Sequence, residues 1–245
     1  MLLAANVRWW NAEAAYTWEK AMGLRLRGHQ VSLLGLTGSP LLERASREGF
    51  AVYPEDGLNA LNPCSRMGAI RRIRGHIREG GFDVVDAHRS EGFVLLAAAL
   101  RGCRTVLVRT RGDMRRPRRD PVNRLMHVYA CDGLAASGKV VAEGMADAFN
   151  LPLSRIEVIY YGVDAVHFSP GERDELRREW GVGSDDFLIG MVGRVDRVKG
   201  LGNFLHAAAL AGHDRPRARF LVAVKEDHPD LPTYRDMIEK LKLEG

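Results

Sequence analysis

Residues 189–200 read Ile-Gly-Met-Val-Gly-Arg-Val-Asp-Arg-Val-Lys-Gly. The apolar run 187–192, of which they form the end, has the length and composition of a buried parallel strand. Gly193 ends it, Arg194 follows, Lys199 comes five residues later, and Gly200 opens a periodic run, 201–210, that predicts a helix. A strand, a glycine turn with two cations and a helix start make a place to hold phosphate. The helix N-terminus offers unsatisfied N–H groups and partial positive charge, and the two side chains add full charges. Gly193 permits a sharp turn or a close ligand approach. The ordinary alternative is a pair of solvated loop cations. Neither Gly-x-x-x-x-Gly-Lys-[Ser/Thr] nor Gly-x-Gly-x-x-Gly is present.

Outward from this stretch, strands alternate with helices. Strands are expected at 1–7, 31–36, 50–53, 83–87, 105–110, 133–136 and 156–160, then at 187–192 and 219–224. Helices are expected between them, at 12–28, 40–48, 65–79, 92–100, 121–131, 138–149, 172–180 and 201–211, with a last one at 233–243. The 65–79 helix carries Met67, Ile70, Ile73 and Ile77 as its apolar stripe. Alternation of this kind predicts an α/β protein with parallel sheets covered on both faces. Pro170-Gly171 is the strongest break, which divides the chain at 169/170 into a long first α/β region and a shorter second one. Ligands of such sheets sit beyond the carboxyl ends of the strands. Three polar clusters fall there: His88-Arg89-Ser90, residues 109–113 and residues 193–199. A cleft between two domains would collect all three.

Composition narrows the class. Of 245 residues, 46% are hydrophobic and 27% charged, as in a globular protein with a real core. No segment nears the ~20 apolar residues of a membrane-spanning helix, and residues 1–6 lack the basic lead of a signal peptide. Cys64, Cys103 and Cys131 have no metal-ligand spacing and suit reduced thiols, so a cytoplasmic location and no metal are expected. The net charge is +5, and arginine clusters at 109, 111, 115, 116, 118 and 119. Such a loop can meet anionic lipid or phosphorylated ligands. Aromatic residues do not interleave with it, so no nucleic-acid partner is expected.

Five features, in order, resemble one family. Gly-Arg-x(4)-Lys-Gly after an apolar strand is similar to the donor-phosphate loop of family-4 glycosyltransferases, which have the GT-B fold. Gly28-His29-Gln30-Val31 resembles the Gly-His-x-Val before their second strand. Asp83-Val84-Val85-Asp86-Ala87-His88 resembles their Asp-Val-Val-His-Ala-His strand. Residues 132–137 resemble the segment from aspartate to serine. Tyr161-Gly162-Val163-Asp164 with Phe168-Ser169-Pro170 resembles Asn-Gly-Val-Asp-x-x-x-Phe-x-Pro.

The resemblance implies retaining transfer of a sugar from a nucleotide-sugar to a glycan or lipid-linked acceptor, as in lipopolysaccharide or other envelope synthesis, with no metal or cofactor beyond the donor. Gly193, Arg194 and Lys199 match the donor-diphosphate site. His88 matches a histidine near the transferred sugar and is the candidate catalytic residue; a strand-end histidine held by a structural hydrogen bond is its plain alternative. Arg89, Arg109 and Arg111 are candidate acceptor or phosphate contacts. Peripheral contact with an anionic membrane is a further expectation. The departures are specific. Residues 6–11 replace a glycine-rich first loop and include two tryptophans. Tyr161 replaces asparagine, and Asp86 stands where the first strand histidine is common. The family's second domain runs on for another ~100 residues and carries Glu-x(7)-Glu, which is absent here. Asp236 and Glu244, at a similar separation, read as solvated residues of a charged final helix. A truncated chain is the resulting expectation, with an N-terminal Rossmann-like acceptor-side domain, 1–169, and a partial Rossmann-like nucleotide-sugar-binding domain, 170–245. A nucleotide-sugar 2-epimerase on the same scaffold, or an inactive fragment without the donor-side acids, are the alternatives.

Overall fold

A computed structural model of the chain describes residues 1–60, 62–171, 173–195, 197–224 and 228–243. The chain divides into two units, Met1–Val163 and Asp164–Gly245.

In the first unit the elements alternate as β1 (Leu2–Ala5), α1 (Ala12–Leu26), β2 (Ser32–Gly35), α2 (Pro40–Arg47), β3 (Ala51–Pro54), α3 (Pro63–Gly80), β4 (Val84–Ala87), α4 (Phe93–Leu100), β5 (Val106–Arg111), α5 (Pro121–Val128), β6 (Gly133–Ala136), α6 (Lys139–Phe149) and β7 (Ile156–Val158). A single-turn 3-10 helix, Asp56–Asn59, interrupts the loop after β3. The strands are all parallel, in the order β3-β2-β1-β4-β5-β6-β7. The order reverses between β1 and β4, and that switch point is where open α/β sheets take ligands.

The sequence explains the layering. β1, Leu-Leu-Ala-Ala, is buried throughout, as a central parallel strand covered on both faces must be. One core lies on each side. Leu3, Ala5, Ala14, Trp18, Leu33 and Leu41 build one under α1 and α2. Leu2, Val85, Leu96, Ile73, Met145 and Phe149 belong to the other, under α3, α4 and α6. Gly28, at φ +85° just past the end of α1, takes the left-handed conformation that stops the helix. Along α3, Ala69, Ile73 and Ile77 are buried, whereas Met67 faces solvent. The expected stripe is therefore corrected by one position: small Ala69 lets the helix pack closely, and the long Met67 lies outside.

The second unit contains α7 (Arg173–Glu179), β8 (Phe187–Val192), α8 (Leu201–Asp214), β9 (Ala218–Ala223) and α9 (Leu231–Lys240). β8 and β9 pair in parallel. The expectation of a buried β8 is not met: Phe187, Ile189 and Val192 are exposed. Strand alternation puts Phe187 and Ile189 on one face and Val192 on the other, so a two-stranded sheet leaves both faces only part-covered. The small core gathers Val195, Leu201 and Leu205 with Met191, Val222, Tyr234 and Met237. Asp236 is exposed on α9; Glu244 lies outside the described residues.

Candidate functional site

The loop leaving β1 sits at the switch point. Asn6 is buried there and exchanges amide hydrogen bonds with Asn59, Nδ2 to Oδ1 at 2.6 Å and the reverse at 3.2 Å. That pair closes the loop without glycines. Trp9 and Trp10 are left exposed, and the Arg44 guanidinium lies 4.9 Å from the Trp10 ring. Asn11 then caps α1, its Oδ1 accepting from Glu13 N at 3.1 Å and Ala14 N at 2.9 Å.

Four residues on one side of α1, Glu13, Tyr16, Thr17 and Lys20, reach the ends of β4 and β5. The centre is Asp86, whose side chain is fully buried. Its Oδ2 accepts from Lys20 Nζ and, at 3.1 Å, from the Thr110 hydroxyl. His88 Nε2 lies 3.3 Å from the same oxygen, off the direction of a hydrogen bond. Burial alone would push the Asp86 carboxyl up. The opposing charges of His88 and Lys20, with the hydrogen bond from Lys20, outweigh that and hold it well below the usual carboxylate range. The other face of the imidazole is fixed as well: Nδ1 is 3.1 Å from Thr17 Oγ1. The Thr17 hydroxyl donates to Glu13 O at 2.8 Å, which leaves the imidazole N–H to donate to Thr17. Tyr16 packs 5.6 Å from the His88 ring and 4.7 Å, edge-on, from Tyr161. Its buried hydroxyl is pushed up to about 12, first by burial, then by the charge of Asp86.

The arginines do different work. Arg109 is 1% exposed. It donates to Ala87 O at 2.8 Å, to Thr110 O at 2.5 Å and to Ser90 Oγ at 3.2 Å, with its guanidinium 5.4 Å from the Phe93 ring centre. Burial, then the charge of Arg111, lowers it to about 10. Arg89 pairs with Glu13 at 2.8 Å and Glu91 at 3.1 Å. Arg111 donates to Arg115 O, and its Nε is buried with no hydrogen-bond partner. Between them a cleft of ≈ 60 Å³ opens, bordered by Glu13, His88, Ser90, Arg111 and Gly112. It has room for a few waters or a small anion. The first unit thus brings His88, Arg89, Arg109 and Arg111 into one cluster, with Arg109 buried beneath it.

In the second unit, Gly193 N donates to Ala223 O at 3.1 Å, which ends the β8–β9 ladder. The turn Arg197–Lys199 folds back so that a Cβ on Gly193 would sit 3.9 Å from Lys199 Cγ. Arg194 and Lys199 are both exposed, and Asp196 lies outside the described residues. Gly200, at φ +76°, caps α8 and has no side chain to bond its first N–H groups.

Sequence reasoning missed Lys20, Thr17 and Tyr16. Glu13, Thr17 and Lys20 fall on one helical face, and a charge and a hydroxyl in the middle of an amphipathic helix were the available signal. Among the described residues no three metal-binding side chains cluster, and no helix is long and apolar enough to cross a membrane.

The sequence profile described as Glycosyltransferase Family 4 matches residues 14–167. This chain belongs to that family. A D-inositol 3-phosphate glycosyltransferase of Mycolicibacterium smegmatis is 33% identical over 112 residues, which are 46% of this chain and 25% of that protein. A glycosyltransferase structure from Rickettsia africae superposes with a TM-score of 0.82 at 18% identity, over 99% of this chain and 65% of the other. Anabaena Alr3699/HepE, solved in complex with UDP, gives 0.80 at 17%, over 99% and 66%. These two establish a GT-B fold. The family-4 chain described above spans about a quarter of the M. smegmatis relative and about two-thirds of the two structures.

Proposed function

We propose that the protein of which this chain is all or part transfers a sugar from a nucleotide-sugar to a glycan or lipid-linked hydroxyl acceptor, with retention, in envelope glycan synthesis. The observation that carries the reading is the Gly193–Gly200 turn, on a chain whose first unit is of family 4. Binding of UDP by HepE supports a nucleoside diphosphate as the donor's leaving half. Relatives named D-inositol 3-phosphate glycosyltransferases fit a phosphate-bearing acceptor class.

In the proposed reaction the bond from the anomeric carbon to the diphosphate oxygen breaks early, and its electron pair goes to that oxygen. The acceptor oxygen bonds to the same face of the carbon and passes its proton to the departing diphosphate oxygen. Negative charge grows on the leaving phosphate, and Arg194, Lys199 and the N–H groups at the start of α8 meet it in place. His88, held by Thr17 through Nδ1 with Nε2 beside Asp86, lies on the sugar side. Arg111 and Arg89 border the cleft for an anionic acceptor group, and Arg109 supports them from below. Peripheral association with an anionic membrane would bring a lipid-linked acceptor to hand.

The test is a panel of nucleotide-sugars with release of nucleoside diphosphate as readout. Lys199→Ala should cost about 1–3 kcal/mol in rate or donor binding, the scale of one charge-assisted contact to phosphate. An unchanged rate removes Lys199 from the mechanism, and an inverted product anomer removes retention.

A further inference from the structure

We propose that the outward face of α5, with the arginine loop before it, is a docking surface for a bilayer containing anionic phospholipid. Val122, Leu125 and Tyr129 are spaced three and four apart, so they line one side of the helix. They are 61%, 57% and 74% exposed, and Met114, in the preceding loop, is 75% exposed. These are large apolar groups in a row, not the isolated exposed residue that any surface carries. The helix cannot roll to hide them. His127 is buried against Phe93 and Phe149, while Met126 and Val128 pack on the core. Its start is fixed too, because Asp120 caps it, accepting from Asn123 N at 2.8 Å.

Charge chooses the occupant. Arg115, Arg116, Arg118, Arg119 and Arg124 surround the apolar row, all exposed. The nearby acids are already engaged: Asp113 by Arg115 at 2.9 Å, Asp147 by both Arg116, at 3.5 Å, and Arg119, and Asp120 by the helix cap. A basic surplus rims an apolar ridge. That is the pattern by which an interfacial helix sinks its apolar side below the headgroups while arginines reach back to lipid phosphates. A helix of 8 residues spans only about 12 Å, so the apolar area it can bury is small and the arginines decide whether binding occurs. The surface is therefore specific for anionic lipid and reversible. It rests on the membrane association of the proposed function and names the surface that makes it, and it can fail separately from sugar transfer, since vesicle binding requires no nucleotide-sugar.

The experiment is co-sedimentation of the full chain with phosphatidylcholine vesicles, with and without phosphatidylglycerol, at low and high salt. Binding is expected only with phosphatidylglycerol and should weaken at high salt. Arg118→Glu with Arg124→Glu should lower the partition coefficient by at least roughly fivefold per arginine, the scale of one basic residue near an anionic surface. Leu125→Glu with Tyr129→Glu should abolish sedimentation. Leu26→Glu, at an exposed site at the end of α1, should change nothing. Circular dichroism of each variant checks the fold, and Leu125→Ala with Tyr129→Ala gives a milder version should the charged pair not fold. The proposal is overturned if the chain ignores both vesicle types, or binds neutral ones equally. It is also overturned if the α5 variants sediment like the parent, or if these substitutions instead dissolve a dimer seen by analytical ultracentrifugation in a chain that does not bind vesicles.

Discussion

The β1–α1 and β8–α8 junctions are the same device, a strand turning into a helix, built to opposite ends. In the first, Asn11 occupies the start of α1, and the residues behind it close on one another: Lys20 on Asp86, Thr17 on His88, Glu13 on Arg89. In the second, the cap is Gly200, which offers α8 no side chain, and Arg194 and Lys199 stand exposed beside it. A helix start that is already capped has little left for an anion. One that begins at a glycine just after two cations keeps its N–H groups and its field available. The difference supports the proposal that the second junction binds phosphate while the first is structural.

The comparison is broken most severely at Lys20. Lys20→Met leaves the buried Asp86 carboxylate without its cation, and unfolding stability should fall by about 3 kcal/mol, the lower end for breaking a buried ion pair. Removing the carboxylate as well, with Asp86→Leu, should restore much of it. Lys199→Ala, at an exposed position, should stay within about 0.5 kcal/mol in the same urea titration. Equal losses at the two sites would erase the distinction.

Next comes the pH dependence of the first unit. Burial lowers His127 from 6.5 to about 4. Above pH 6.5 the imidazole is neutral in both folded and unfolded chains, and its contribution to stability is whole. Between 6.5 and 4 the unfolded chain binds a proton that the folded one refuses, so stability falls with pH, by roughly 3 kcal/mol at the foot of that window. His127→Phe should flatten this stretch of the urea midpoint against pH. Asp86, held below the usual range, adds a loss that begins only as pH drops beneath ordinary carboxylate values. The smallest effect belongs to the cap. Asn11→Ala should cost about 1 kcal/mol and leave nucleotide affinity unaltered.

Much of the fold was legible because parallel strands are short continuous apolar runs bounded by glycine. Residues 133–136 and 187–192 fall where the pattern put them. An apolar run reads the same whether one or both of its faces are covered, which is why the exposure of β8 was not foreseen. The site was legible in part. His88, Arg89, Arg109 and Arg111 could be grouped by their places at strand ends, and they do converge. That Arg109 is a buried post, and that Lys20 and Thr17 hold Asp86 and His88, depends on contacts spanning 66 and 71 residues. Helical periodicity carries no record of such pairings. Asp86 was visible as a departure from the family strand, yet its partner could be found only in three dimensions.

The central claim is that the Gly193–Gly200 turn holds the diphosphate of a nucleotide-sugar. Calorimetric titration of the chain with nucleoside diphosphates, against its Arg194→Ala Lys199→Ala variant, tests it most directly. The account predicts measurable binding that weakens by at least tenfold in the variant, with the urea midpoint unmoved. Binding of equal strength in both proteins, or none in either, would contradict it.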